Sequence, residues 1–550
     1  MNTRTYPLGE AVDFAVVGTG AAGGVMAREL SQAGFSVVLF EQGPHLQPTQ
    51  FEHDELKYEF MNGITNDPVL SPQSFRKTPA ERAELVRDLP ALQYVRMVGG
   101  SSIHFTANFW RLHEIDFHER SVLGPISGTG FADWPISYQE LEPYYTKVEW
   151  EVGVSGLAGA SPFDPPRSRP YPMPPMPVKS SGVLFERGAR KLGLHPYPAP
   201  LAINSQPYRG RPGCIHCGFC IGFGCEVSAK SSSLATMIPE ALASGRCELR
   251  ANSYVVRVET NARGRATGVL YFDKLKRMQF QRARAVVVCA NGAETPRLLL
   301  NSASARFPDG LANSSGLVGK YLMFNAGAEV GATFEHELNE YKSTQVTRVV
   351  HDFYDADPKR GFYGGGGLDA RIGQQPIIWA IDPAGAGTGW GADYKDRLRE
   401  FRRSLMILSH TTSLAVEANS VSIDPDLKDA WGIPAIRVTY KDHPDDLAIS
   451  RFLQDRSVEI LEAAGGQRIR RGPVAEQQGN VHLLGTCRMG KDPAQSVIDR
   501  DHRTHDVPNL FLCDGSSMVT SGRGQPTMTI QALAFRAADR IGQLARHGGI

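Results

Sequence analysis

Residues 13–43, "DFAVVGTGAAGGVMARELSQAGFSVVLFEQG", begin with an apolar run, pass a glycine-rich turn, carry apolar positions at helical spacing, and close on a second apolar run. This predicts strand, turn, helix and strand, one βαβ unit. Residues 134–154, "WPISYQELEPYYTKVEWEVGV", space their apolar and aromatic side chains as a helix does, with Ser137 and Glu140 at capping-box separation. The stretch "SPFDPPRSRPYPMPPMPV" at 161–178 is too rich in proline for a helix or a central strand and is expected to be an extended connector. From Glu248 to Leu300 apolar and polar residues alternate, break at Asn261-Ala262-Arg263-Gly264, resume, and end in a buried run before a helix start. That is the pattern of antiparallel strands returning to a parallel sheet.

Between 310 and 475 the stretches "EANSVSIDPD" and "PAIRVTYKD" read as strands and "YGGGGLDAR" (363–371) as a loop. The final segment, "NLFLCDGSSMVTSGRGQPTMTIQALAFRAADRIGQLA", returns to strand, loop and amphipathic helix. No internal repeat is evident. One lobe is therefore expected to be assembled from distant pieces with the other inserted between them. The fold class is α/β: a Rossmann-like domain from discontinuous segments (1–50, 90–145, 226–310 and 476–550) and an inserted α+β substrate domain (51–89, 146–225 and 311–475) containing an antiparallel sheet.

Length agrees with two lobes, since 550 residues exceed what one core of about 250–300 residues supports. The net charge of +1 gives no field toward nucleic acid or an acidic membrane. The first residues lack the pattern of a secretory signal, and no run reaches the roughly 18 apolar residues that span a bilayer. A soluble chain with no export signal of its own is expected.

Gly18, Gly20 and Gly23 form G-x-G-x-x-G directly after a predicted strand, and Glu41 ends the second strand. Such glycines permit a tight turn, close approach of backbone to a pyrophosphate and close helix packing, while an acid at that distance suits ribose hydroxyls and repels a 2′-phosphate. The motif alone does not separate FAD from NAD. "RMVGGSSIHFTANFWR" (96–111), "CANGAETPRLLLNS" and "DGSSM" add further turn sites after strands. With these blocks in this order the chain resembles the glucose–methanol–choline (GMC) oxidoreductases, FAD enzymes that oxidise alcohols, essentially end to end. The resemblance implies that Gly18, Gly20, Gly23 and Glu41 hold the ADP half of FAD. It places Gly99, Gly100, Ser101, Ser102 and Asn108 by the pyrophosphate and flavin, Val255 by the adenine, and Asp514 and Gly515 by the ribityl chain. Ile103-His104-Phe105 departs from the usual family pattern and is similar to the FAD-dependent bacterial sugar dehydrogenase subunits; a packed His104 is expected rather than one bonded to flavin.

Alcohol oxidation needs a base opposite the flavin, and a neutral histidine suits it. His482, in "VHLLGTCRMG", occupies the place of the family's catalytic histidine. Gln525, before "PTMT", stands where the family has His or Asn and keeps donor and acceptor atoms one methylene farther out. Trp379, Trp390, His410 and Asn419 are candidates for the pocket wall.

Four of the eight cysteines crowd into "CIHCGFCIGFGC": Cys214, Cys217, Cys220 and Cys225, spaced C-x2-C-x2-C-x4-C. So few thiols, so clustered, point to metal rather than to a disulfide scaffold. Cys289 and Cys513 lie in apolar strands and are expected in the core. Zinc would accept four thiolates; an iron–sulfur cluster also splits two electrons into single steps. The resemblance implies the cluster, of three or four irons, and with it a small companion subunit and a cytochrome-type acceptor, so that export alongside a signal-bearing partner to the periplasm and a cytoplasmic location both stay open. The expected activity is oxidation of a hydroxyl on a sugar, glycoside or sugar acid. The alternatives are a family oxidase releasing hydrogen peroxide and a non-catalytic electron-transfer flavoprotein.

Overall fold

The computed structural model describes residues 4–57, 67–87, 90–371, 375–381 and 390–550, so parts of the segments 51–89 and 311–475 lie outside the described residues. β1 (Val12–Val17), α1 (Ala21–Gln32) and β2 (Val37–Phe40) form the expected βαβ unit. β1 pairs in parallel with β2 on one side and with Met278–Val288 on the other. This centre is apolar on both faces: Val12, Ala15, Val16 and all four residues of β2 are buried. It therefore needs helices above and below.

Seven strands make this sheet. Cys247–Arg250 flanks β2, and Leu510–Leu512 lies parallel to the end of Met278–Val288. The first half of that long strand pairs antiparallel with Ala266–Phe272, which pairs with Tyr254–Thr260, so the antiparallel strands do feed back into the parallel sheet. Helix Pro526–Arg546 packs against α1 and against Tyr138–Val148. The latter starts at the Ser137–Glu140 capping box, with Glu140 N donating to Ser137 Oγ at 3.2 Å. Cys289 and Cys513 are buried in the core beneath.

The second sheet has six antiparallel strands in the order Gln467–Arg471, Glu329–Thr333, Ser404–Thr411, Gly366–Arg371, Arg348–Val350 and Tyr197–Pro198. Side chains alternate across it. Val330, Ala332, Leu368, Ala370, Leu405 and Ile407 pack with Leu453 and Ile460 of helix Pro444–Ala464 in a separate core. Glu329, Asp369, Arg371, Leu408 and His410 fall on the other face, toward the first sheet. A smaller mixed sheet joins Ser420–Lys428 and Pro434–Thr439 to Gln73–Arg76 and Glu84–Leu85.

One expectation is corrected here: "YGGGGLDAR" is not a loop, because Gly366–Arg371 is a fully buried strand between two neighbours. Its glycines are there for space. A Cβ on Gly366 would stand 2.2 Å from His410 O, and one on Gly367 would stand 2.7 Å from His351 Cδ2. Glycine in a strand marks close approach as often as a turn. Among the described residues no helix is long and apolar enough to cross a membrane.

Candidate active site

A cavity of about 1010 Å³ runs between the two large sheets, from the turn after β1 to the face carrying His410. At its first end Gly18 adopts φ +98°, and a Cβ on Gly23 would lie 1.9 Å from Gly18 O. α1 can sit on the turn only because both positions lack side chains. Gly20 is the N-cap of α1 and supplies no side-chain cap, leaving the first-turn N–H groups facing the cavity as an anion site. Gly100 leans on the same turn, since its Cβ would be 2.8 Å from Gly20 Cα.

Glu41 is held at the end of β2 by Thr19 Oγ1, which donates at 2.6 Å, and by Gly43 N at 3.0 Å. Burial raises its pKa, and these donors oppose the shift. Gly99 N donates to Thr19 Oγ1 at 3.0 Å and Ser102 Oγ to Gly99 O at 2.7 Å, so the GGSS segment is tied to the glycine turn. Asp514 accepts from Thr295 Oγ1 at 2.6 Å, from Ser516 N at 2.8 Å and from Asn291 N at 3.1 Å. Gly18, Gly20, Glu41, Gly100, Ser101, Ser102, Val255, Asp514 and Gly515 all line the cavity. Gly23 and Gly99 stand behind its wall as packing positions. Asn108 turns away from it, donating from Nδ2 to Asp369 Oδ2 at 3.2 Å. The glycine cradle, the open helix N-terminus and the acid at the end of β2 fit an adenine dinucleotide such as FAD or NAD.

At the other end His482 and Gln525 both line the cavity, brought together from the turn before "GTCRMG" and the N-cap of helix Pro526–Arg546. Burial, reinforced by His410, lowers the pKa of His482 to about 3, so its imidazole is neutral at working pH. Gln525 Nε2 lies 3.2 Å from His410 Nδ1. His410 Nε2 is 2.8 Å from Asp369 Oδ2, and Arg371 Nε donates to Asp369 Oδ1 at 2.6 Å. Burial alone would raise the Asp369 pKa, but Arg371 and His410 outweigh it and bring it down to about 2. A histidine, a carboxylate and an arginine thus back the glutamine that replaces the family's His or Asn.

Sequence reasoning placed His410 among four pocket candidates and missed Asp369 and Arg371 altogether. The signal lay in the misread glycine stretch, whose last three residues are Asp369-Ala370-Arg371. The other candidates do not reach the cavity. Trp379 Nε1 donates to Arg397 O at 3.1 Å, Asn419 Nδ2 donates to Lys441 O at 3.0 Å, and Trp390 is exposed. His104 is buried, with Nδ1 3.0 Å from Gly222 O.

Cys214, Cys217, Cys220 and Cys225 are free thiols on one loop that reaches the cavity wall at Ile221 and Gly222. Gly222 N donates to His104 O at 2.9 Å. Lys230 Nζ, buried, donates to Cys220 O at 2.5 Å, Phe223 O at 2.8 Å and Phe105 O at 3.1 Å, joining the loop to the segment after GGSS. Burial raises the pKa of Cys214, Cys217 and Cys220, the last to about 12, with the neighbouring thiols adding to the rise. Among the described residues no three His, Cys, Asp or Glu side chains are grouped to hold a metal ion.

A cavity joining a dinucleotide cradle to a neutral histidine suits a dinucleotide-dependent oxidoreductase. The GMC oxidoreductase models match residues 91–325 and 415–534, and an NAD(P)-binding Rossmann-like domain model matches 16–61. The chain is 36% identical to 2-methyl-1,2-propanediol dehydrogenase of Mycolicibacterium austroafricanum, covering 96% of this chain and 95% of that one. It is 31% identical to the fructose dehydrogenase large subunit of Gluconobacter japonicus, covering 96% and 97%. The pyridoxine 4-oxidase structure from Mesorbium loti shares the fold, with a TM-score of 0.64 at 18% identity over 96% of this chain and 99% of that one. The protein belongs to the GMC oxidoreductase family and is an FAD-dependent oxidoreductase acting on CH–OH groups.

Proposed function

We propose that this enzyme is a dehydrogenase that oxidises a hydroxyl-bearing carbon of a sugar, glycoside, sugar acid or related polyol and delivers the electrons to a separate acceptor. The observation that carries the reading is that His482 and Gln525 both line the cavity and both neighbour His410. Neutral His482 accepts the hydroxyl proton. Gln525 hydrogen-bonds the same oxygen, and His410, steadied by Asp369 and Arg371, fixes the glutamine amide. Bound FAD supplies the acceptor for the hydride. The names of the relatives, a diol dehydrogenase and a sugar dehydrogenase subunit, support a polyhydroxylated substrate and an enzyme over a non-catalytic flavoprotein, and the clustered thiols support a dehydrogenase over an oxidase.

An iron–sulfur cluster held by three or all four of Cys214, Cys217, Cys220 and Cys225 would supply one-electron transfer out of the protein. What supports it is the chemistry of the loop, four thiols with a backbone N–H from His216 to Cys214 Sγ at 3.3 Å and buried Lys230 to offset thiolate charge; among the described residues the thiols are not grouped around an ion, so binding would have to draw them together. The loop's seat against the GGSS segment supports a relay from flavin to surface. A small companion subunit and a cytochrome-type acceptor would follow, with export to the periplasm alongside that partner. The test is anaerobic. The purified protein is assayed for FAD, iron and sulfide, and the flavin band is followed while diols, sugars, glycosides and sugar acids are added. Bleaching by at least one of them, with iron and sulfide present, supports the reading. A flavin that none of them bleaches rejects the enzyme activity, and stoichiometric hydrogen peroxide in air from an iron-free protein rejects the relay.

A further inference from the structure

The substrate face of the second sheet has an uneven charge balance. Glu329, Leu408 and Asp369 are register partners on three adjacent strands, so their side chains share one face with His410 and Arg371. Two arginines line the cavity, Arg297 and Arg371, and no lysine does among the described residues. Both arginines are committed. Arg297 pairs with Asp429 at 2.8 Å and Glu294 at 3.2 Å, and Arg371 is held by Asp369.

Glu329 is different. Its backbone oxygen accepts from Gly472 N at 2.9 Å, but its carboxylate has no hydrogen bond or ion pair among the described residues and stands exposed along the cavity wall. Enclosure raises its pKa, with Arg371 pulling the other way. Asp369 and Arg371 offset each other, so Glu329 leaves the group of three with a net negative charge, and a carboxylate entering the substrate end meets no unpaired arginine or lysine among the described residues.

We infer that Glu329 is a specificity-determining residue that makes the enzyme favour neutral or cationic hydroxyl compounds and turn away carboxylates. This deepens the alcohol-oxidising reading and rests on it. Of the classes proposed above, sugar acids then become the poorest substrates and polyols or amino-polyols the best. The physical cause is close-range repulsion between like charges within the cavity, which selects against the wrong ligand more than it binds the right one.

The test uses the holoenzyme under anaerobic conditions with two matched series: 1,2-propanediol, 3-amino-1,2-propanediol and glycerate, and glucose, glucosamine and gluconate. The readout is the ratio of kcat/KM within a series. The neutral or amino compound is expected to exceed the acid by about tenfold or more, equivalent to about 1.4 kcal/mol. Glu329→Gln should bring the ratio to within about threefold, and Glu329→Lys should invert it. Glu329→Asp, which keeps the charge, should preserve it and so separates charge from shape. An acid oxidised as well as its neutral partner, or a ratio that Glu329→Gln leaves unmoved, overturns the inference while leaving the alcohol-oxidising reading intact. If no neutral alcohol bleaches the flavin, both fall together.

Discussion

At the nucleotide end of the cavity the central turn is backbone from one contiguous βαβ unit, to which Glu41, the GGSS segment, Val255 and Asp514 are added, whereas at the substrate end the wall is side chains drawn from strands and turns far apart in the chain. The turn after β1 works because Gly18 and Gly23 leave room, and both lie within six residues of each other. The substrate end needs Asp369 and Arg371 from one strand, His410 from the next, His482 from a turn and Gln525 from a helix start. The difference teaches that the glycine turn is limited by volume, whereas the second end tolerates neither loss of charge nor loss of a hydrogen-bond partner.

The largest expected effect breaks the nucleotide end alone. Gly23→Ala puts a methyl group 1.9 Å from Gly18 O, so α1 must leave the turn. The flavin-to-protein absorbance ratio should fall to about a tenth or less, and undiminished flavin content would remove volume as the principle of that end. Next, His482→Ala leaves the cradle untouched: flavin should be retained while the limiting rate of its anaerobic reduction falls by about 10²–10⁴-fold. Asp369→Asn removes the carboxylate that holds both His410 and Arg371. It should slow reduction about 10–100-fold and, by stranding a buried arginine, lower stability by about 3–5 kcal/mol in denaturant unfolding.

A smaller effect is read against pH. His482 at the substrate end, His104 by the GGSS segment and His113, which stacks on Tyr354 outside the cavity lining, have pKa values lowered to about 3, in each case chiefly by burial. Unfolded, each titrates near 6.5. Between those values the unfolded chain binds more protons, so stability rises with pH and is lost on acidification from about 6.5 downward. Asp369 adds to this, since its stabilising ionised form is lost as pH falls from about 4 through about 2. Melting temperature followed across pH 4–8 should fall on the acid side, and His113→Gln should flatten the slope. The smallest effect is a control far from both ends: Ser137→Ala removes the cap of helix Tyr138–Val148, should cost about 1 kcal/mol, and should leave flavin reduction unchanged in the stopped-flow trace.

Legibility followed the same division. The βαβ unit, the antiparallel return into the parallel sheet and the Ser137 cap are periodic or local patterns, and they form at the residues where those patterns stand. His482 and Gln525 could be named because each sits in a short motif. Asp369 and Arg371 could not, because their strand is disguised by glycines whose reason is another strand's carbonyl and the ring of His351. The cysteine run was visible as a cluster in the sequence, while among the described residues its thiols are not grouped around an ion.

By itself the sequence determined the elements and the nucleotide turn, because steric demands on a glycine or the period of a strand act between residues close along the chain. Only the tertiary structure decided which charges face the substrate. Glu329, Asp369, Arg371 and His410 share a face through strand register, and register is set by pairing between residues that the linear order keeps 35 or more positions apart.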